Sequence, residues 1–352
     1  MIEAQAYNTF NPNKQVRVTG NALFDAPDDP QDGLEDHGSE DETSSYHSYA
    51  SNEENDPKGN NVTVRDRLTD DQLLRCHYLV RGYSLREKAW INFDATKFHN
   101  IHFDSGAFDQ LVLPKKHKTL ILALITPQGK NRDAFDDRIR GKGKGLSILL
   151  SGPRSIGKTL TAEAVAETIQ KPLYTISAGD IGSSNSSVEK HLSTVFKMAV
   201  KWNAVVLLDE ADVFMEARSS TDLERNRLVS IFLRMLGYYE GILFLTTNRI
   251  SNIDLAFHSR IHISLHYESL NSTARRQIWQ NFMKAAEERR GDSGEFRWAL
   301  KDEDLGELAG YELNVREIKN VLKTALFVAE EAGEPMGLAH VETVLCTRAL
   351  QG

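Results

Sequence analysis

The chain has 352 residues, 40% hydrophobic and 26% charged, with a formal net charge of −8; this length and apolar content admit one to three ordinarily packed domains. The charge is uneven, since residues 21–60 carry twelve Asp or Glu against one Lys and the remainder is near +3, so the balance argues weakly against the strongly basic domain or stripe of a nucleic-acid footprint. Two cysteines in no metal or redox spacing, Cys76 and Cys346, and no apolar run longer than LILALI-type stretches point to a soluble intracellular protein without a membrane span, cytoplasmic or nuclear.

Residues 1–62 are rich in Asp, Glu, Ser, Asn and Pro. They carry too little apolar surface to offset the entropy of ordering, and are expected to be a disordered acidic tail. Residues 63–134 read as a small N-terminal module or linker. HYLVRGYSL (77–85) and AWINF (89–93) alternate like strands, and KKHKTLILALI (115–125) follows Pro114 as a helix. From 135 to 268 apolar strand-like runs alternate with helical stretches: LSILL (146–150), PLYTIS (172–177), AVVLLD (204–209) and GILFLTTN (241–248) are the strands. Strands apolar throughout and separated by helices predict an α/β fold, a parallel sheet sandwiched by helices. Residues 269–352 hold only helical patterns and predict an all-helical C-terminal subdomain.

GPRSIGKT at 152–159 satisfies G-x-x-x-x-G-K-[ST] in full, with a strand before it and a helix directly after, which makes it a phosphate-binding P-loop. Gly152 and Gly157 let the backbone turn its N–H groups inward, and the helix N-terminus adds a positive dipole end. Lys158 places a charge on the β- and γ-phosphates, and Thr159 offers its hydroxyl to Mg²⁺. The candidate ATP-binding residues are Gly152, Pro153, Arg154, Ser155, Ile156, Gly157, Lys158, Thr159 and Leu160. The nearby GKGKG (141–145) reads as a turn without a chemical role.

Fifty residues on, the strand AVVLLD ends in adjacent carboxylates, Asp209 and Glu210. Ligands of open α/β sheets bind at the C-terminal strand edge. Asp209, with Thr159, is the expected Mg²⁺ holder, largely through water. Glu210 is the candidate general base for an attacking water.

With GLSILLSGPRSIGKTLTAEAVAE, VVLLDEADVFMEAR, NRLVSIFLRML, GILFLTTNRISNIDLAFHSRIH and NVREIKN in place, the chain resembles the AAA+ ATPases, and within them a filamentous-fungal group, over roughly 76–350. The resemblance implies a P-loop NTPase core with a helical AAA+ lid, and Mg²⁺-dependent ATP hydrolysis. It also implies a ring oligomer, expected to be a hexamer, acting on a protein client. It places Asn248 as the sensor that positions the lytic water and Arg260 as the finger reaching a neighbour's γ-phosphate, with Arg249 as a lesser candidate. Arg316, on a lid helix, takes the second sensor position. Three departures stand out. Pro153-Arg154-Ser155-Ile156 replaces the usual Pro-Pro-Gly-Val. The stretch 177–190 lacks the aromatic of a threading pore loop, and one Arg stands in the finger region where relatives often have two. A nucleotide-binding scaffold or switch with little turnover is the alternative; a DNA-remodelling ATPase lacks any basic, aromatic-interleaved stripe to support it.

Overall fold

The computed structural model describes residues 78–125, 145–180, 185–219, 222–249, 252–290 and 298–349. The acidic tail at 1–62, Cys76 and most of the GKGKG stretch lie outside the described residues. The chain divides into two compact units, 1–99 and 100–352. In the first, β1 (Leu79–Ser84) and β2 (Ala89–Asp94) form an antiparallel hairpin, with Leu79 opposite Asp94 and Ser84 opposite Ala89. Tyr83 and Trp90 meet edge to face across it at 5.3 Å.

The second unit starts with α1 (Lys115–Ile125), whose Ile121 and Ile125 are buried. A five-stranded sheet follows, built from β3 (Leu146–Ser151), β4 (Leu173–Ser177), β5 (Val205–Asp209), β6 (Ile242–Thr247) and β7 (Ile263–His266) in the order β4-β5-β6-β3-β7. Every pairing is parallel. The helices between them are α2 (Lys158–Thr168), α3 (Asn185–Lys201), the single turn Asp212–Met215, and α4 (Leu223–Leu236). All six residues of both β3 and β6 are buried, as central parallel strands covered on both faces must be.

Side-chain alternation decides which helix each strand residue meets. Ile148 and Leu150 of β3, Val205 and Leu207 of β5, and Ile242 and Phe244 of β6 form one core with Ala162, Val165 and Ala166 of α2 and Ile121 and Ile125 of α1. The small residues along α2 let it lie close to the sheet. The other parity, Leu149, Val206, Leu208, Leu243 and Leu245, is also buried. Amphipathic α3 buries Val188, Leu192, Val195, Phe196 and Ala199, the i, i+4, i+7, i+8, i+11 stripe of a packed helix. Phe196 meets Tyr239 at 4.5 Å, and Phe232 of α4 touches Phe214 and Phe257.

The C-terminal helices are α5 (Ser272–Arg290), α6 (Asp302–Leu308), α7 (Val315–Ala332) and α8 (Leu338–Ala349). They enclose their own core around Trp279, Leu308, Ile318, Val321 and Val341; each such fully buried large side chain contributes roughly 1.5–3 kcal/mol. Asn314 caps α7 in a reciprocal box with Glu317 (2.8 and 3.0 Å), which fixes where the helix begins. The parallel sheet and the helical C-terminal part match the expected fold class. The edge strand β7, the single turn Asp212–Met215 and the short helix α6 go beyond the sequence reading. Among the described residues no helix is long and apolar enough to cross a membrane.

Candidate active site

Strands β3, β5 and β6 are neighbours through β6, so their C-terminal ends share one edge of the sheet. Ser151, Asp209 and Thr247 are the last residues of those strands. The chain leaves β3 through Gly152, whose φ is +138°. A Cβ there would lie 2.3 Å from the Tyr267 carbonyl oxygen, so only glycine fits. Gly157, at φ +102°, caps α2 in the left-handed region, and a Cβ built on it meets nothing within 4 Å. The space a side chain would enter there is open. Pro153 and Arg154 are exposed, whereas Ile156 is buried and anchors the loop in the sheet core. Leu160 is 45% exposed on the first turn of α2.

Ser155 stands at φ +56°, a left-handed backbone that costs a residue with a Cβ roughly 1–2 kcal/mol. Its carbonyl accepts the Val315 N–H at 3.0 Å. The first turn of lid helix α7 is thereby tied to the phosphate loop. Ser155→Gly should relieve the strain, partly offset by greater unfolded-state freedom, and stabilise the protein by up to about 1 kcal/mol; the urea unfolding midpoint measures it.

Lys158 is 7% exposed. Its ammonium donates to the carbonyls of Gly152 (2.9 Å) and Pro153 (2.5 Å) and to Asn248 Oδ1 (2.8 Å), so all three donors are matched. Burial pushes its pKa below the ordinary lysine value, with Asp209, Asp212 and Glu210 acting in the opposite direction. Thr159 Oγ1 donates to the Asp209 carboxylate at 3.1 and 3.2 Å. The structure thus joins Lys158 to Asn248 and Thr159 to Asp209, two hydrogen-bonded pairs on consecutive residues of α2. Glu210, the next residue, has φ +53° and is exposed.

Residues that no motif singles out support these pairs. Thr246 of β6, 1% exposed, donates to Asp209 and accepts the Glu210 N–H at 2.9 Å. Thr247 donates to Asp212 and accepts the Arg249 N–H at 3.0 Å. Thr161 Oγ1 donates to the Gly157 carbonyl at 3.0 Å and accepts from Tyr267 Oη at 2.7 Å; burial pushes the Tyr267 phenol up to about 12, which keeps it a donor. On α2, desolvation by its surroundings and then the Asp209 charge hold the Glu163 carboxyl above its usual range, while Lys319 of α7 opposes them. Hydroxyls on strand ends carry no pattern of their own, and only their placement reveals them.

The side chains of three arginines named by the resemblance stand apart from these hydrogen bonds. Arg260 is half-buried and donates through Nε to Leu233 O (3.1 Å) and through Nη1 to Ala256 O (2.9 Å) and Ser259 Oγ (3.1 Å). Leu233 lies in the last turn of α4, where a cation is favoured by the helix dipole. Arg316 is exposed on the first turn of α7, beside the Val315 contact. Arg249 is exposed at the end of β6.

The turn that carries Arg260 is set by Asp254, whose carboxylate accepts from Arg218 Nε (2.8 Å) and from the Ala256 N–H (2.9 Å). The hydrogen bond from Arg218 holds the Asp254 carboxyl below its usual range. A depressed carboxylate stabilises the fold above its unfolded pKa of about 4 and loses that contribution as pH falls through the folded value. Asp254→Asn, which keeps the cap oxygen, should therefore lower stability at pH 7 and flatten the acid limb of the unfolding midpoint against pH.

A G-x-x-x-x-G-K-[ST] loop after β3, carboxylates closing β5, Asn248 just past β6 and a C-terminal helix bonded to the loop define a P-loop nucleotide-binding domain of the α/β class. Within that class, residues 148–269 match the family described as "ATPase family associated with various cellular activities (AAA)". The chain is 30% identical to the ATPase family AAA domain-containing protein FIGL1 of Arabidopsis thaliana over 199 residues, 53% of this chain and 27% of that protein. It is 35% identical to vacuolar protein sorting-associated protein 4 of Dictyostelium discoideum over 130 residues, 34% of this chain and 29% of that protein. It is 27% identical to spastin of Anopheles gambiae over 268 residues, 69% of this chain and 30% of that protein. The matched part spans less than a third of the length of each of these relatives.

Proposed function

We propose that this chain binds ATP with Mg²⁺ and hydrolyses it as a ring oligomer, expected to be hexameric, that remodels a protein client inside the cell. The observation that carries the proposal is the pairing of Lys158 with Asn248 and of Thr159 with Asp209, which sets the ends of β5 and β6 beside the start of α2. The loop fits a triphosphate through its open left-handed Gly157 and the start of α2. Lys158 exchanges its loop carbonyls for phosphate oxygens. Thr159 and Asp209 would hold Mg²⁺, which neutralises charge on the β- and γ-phosphate oxygens when bound. Among the described residues no cluster of three metal-ligating side chains exists, which suits an ion that keeps most of its waters and takes one or two protein ligands. Glu210 accepts a proton from the attacking water as its oxygen bonds the γ-phosphorus and the bond to the ADP oxygen breaks. Asn248 orients that water.

In this reading Arg260 serves a neighbouring subunit's site. Leu233 and Ala256 hold Nε and Nη1, and Nη2 is the group assigned to the neighbour's γ-phosphate. Arg316 follows nucleotide occupancy from α7, and the filamentous-fungal resemblance belongs to the same reading. Phosphate release by the purified chain should saturate with ATP, require Mg²⁺, and accompany a rise in mass to several protomers by light scattering. A second reading, a nucleotide-gated scaffold or switch, is motivated by Ser155 at φ +56° in the loop. Saturable ATP binding with no phosphate release would favour it and remove the first.

A further inference from the structure

One buried hydroxyl lies between the two acidic residues. The β5–β6 ladder runs to Leu208 opposite Leu245, so the next residues, Asp209 and Thr246, leave it together. In place of the next ladder contact, Thr246 Oγ1 donates to Asp209 Oδ1 and accepts the Glu210 N–H at 2.9 Å. The Thr246 carbonyl takes the following amide, from Ala211, also at 2.9 Å. Consecutive N–H groups of the turn after β5 therefore both end on one residue of β6. That turn holds Glu210 at φ +53°, a conformation that a residue with a Cβ keeps only where its surroundings impose it. Thr246 is 1% exposed, so its hydroxyl is committed to these partners and unavailable to a ligand.

We infer that Thr246 is a positioning residue for the acidic pair: its hydroxyl fixes the rotation of the Asp209 carboxylate against Thr159 and the turn that presents Glu210. The inference rests on the ATPase reading above. It separates Thr246 from a merely structural strand-end threonine, whose loss would lower stability without a selective effect on turnover. It also separates Thr246 from a ligand-contacting residue, whose loss would raise KM.

The test compares full-length Thr246→Val and Thr246→Ser with the wild type. Three quantities are read: kcat and KM for ATP, the unfolding midpoint, and the thermal shift produced by ADP with Mg²⁺ and with EDTA. Thr246→Val is expected to lower kcat about tenfold or more, as loss of a hydrogen bond to a charged group predicts, with KM within about twofold. It should also shrink the Mg²⁺-dependent part of the ADP shift, and Thr246→Ser should restore most of both. If the Val protein does not fold, Thr246→Ala removes the same hydroxyl without placing a methyl group against Asp209 and carries the same expectation. Wild-type kcat and Mg²⁺-dependent shift in the hydroxyl-free variant would overturn the inference, as would equal loss in the Ser variant. A wild type with no turnover would instead remove the ATPase reading, and the Mg²⁺-dependent shift would still decide the role of Thr246.

Discussion

Glu210→Gln is expected to slow phosphate release at least about a hundredfold while leaving ATP affinity near wild type. General-base catalysis is worth roughly 10²–10⁴ in rate, and an amide of the same shape cannot take the water's proton. The substitution is gentle to the fold, because Glu210 is exposed and its side chain packs into no core. Its backbone is held by Thr246 through the main-chain N–H, which glutamine retains, so the strained turn at φ +53° persists. Fluorescent-nucleotide titration and a phosphate assay on the same preparation separate binding from chemistry. Because ATP then stays bound, assemblies that need ATP should also be longer-lived in the variant. Unchanged turnover would remove Glu210 as the base.

Lys158→Met is expected to weaken nucleotide affinity by about a hundredfold or more, since in the proposed reading the buried ammonium would supply charge-assisted bonds to phosphate that no neutral chain replaces. The effect on the free protein should be much smaller. Burial already works against the ammonium and depresses its pKa, so removing the charge removes a desolvation cost along with its bonds. Of the acceptors it leaves, the Pro153 carbonyl belongs to an exposed residue, where water can take over, and the Gly152 carbonyl to a buried one, which sets the remaining cost. The unfolding midpoint without nucleotide should therefore move by a few degrees at most, while the shift produced by ADP disappears. A variant that keeps its ADP shift would overturn the role given to Lys158; one that fails to fold would make its part in the loop structural.

Much of the site was legible because the chemistry of phosphate binding constrains neighbours in sequence. Gly152, Gly157, Lys158 and Thr159 must sit on one tight turn between a strand and a helix, so their spacing is local and readable. Asp209 and Glu210 announce themselves as charges ending a run of apolar residues, which a buried strand tolerates only at its edge. Thr246, Tyr267 and Thr161 were not legible. Each is an ordinary residue type in a strand end or helix face, and acts only through a partner brought close by the fold, as Tyr267 does with Thr161 across 106 positions. The edge strand β7, four residues long, was missed for a related reason. ISLH has too few residues to show a period, and its strand character comes from pairing with β3.

Local pattern alone was enough to establish the parallel α/β core, the helical C-terminal part and the phosphate loop, because periodicity and turn chemistry act over a few residues. Strand order, by contrast, is a matter of which edges meet. Placing β6 between β3 and β5 brings Asn248 to Lys158 and Thr246 to Asp209, and no local pattern encodes that neighbourhood. The same holds for α1, whose Ile121 and Ile125 join the sheet core through packing that only the folded chain defines. The contact between Ser155 and Val315 spans 160 positions, and it places the lid against a loop whose strain shows only in its backbone angle. Chemistry confined to one turn is written locally; chemistry shared between strands exists once long-range burial has chosen their neighbours.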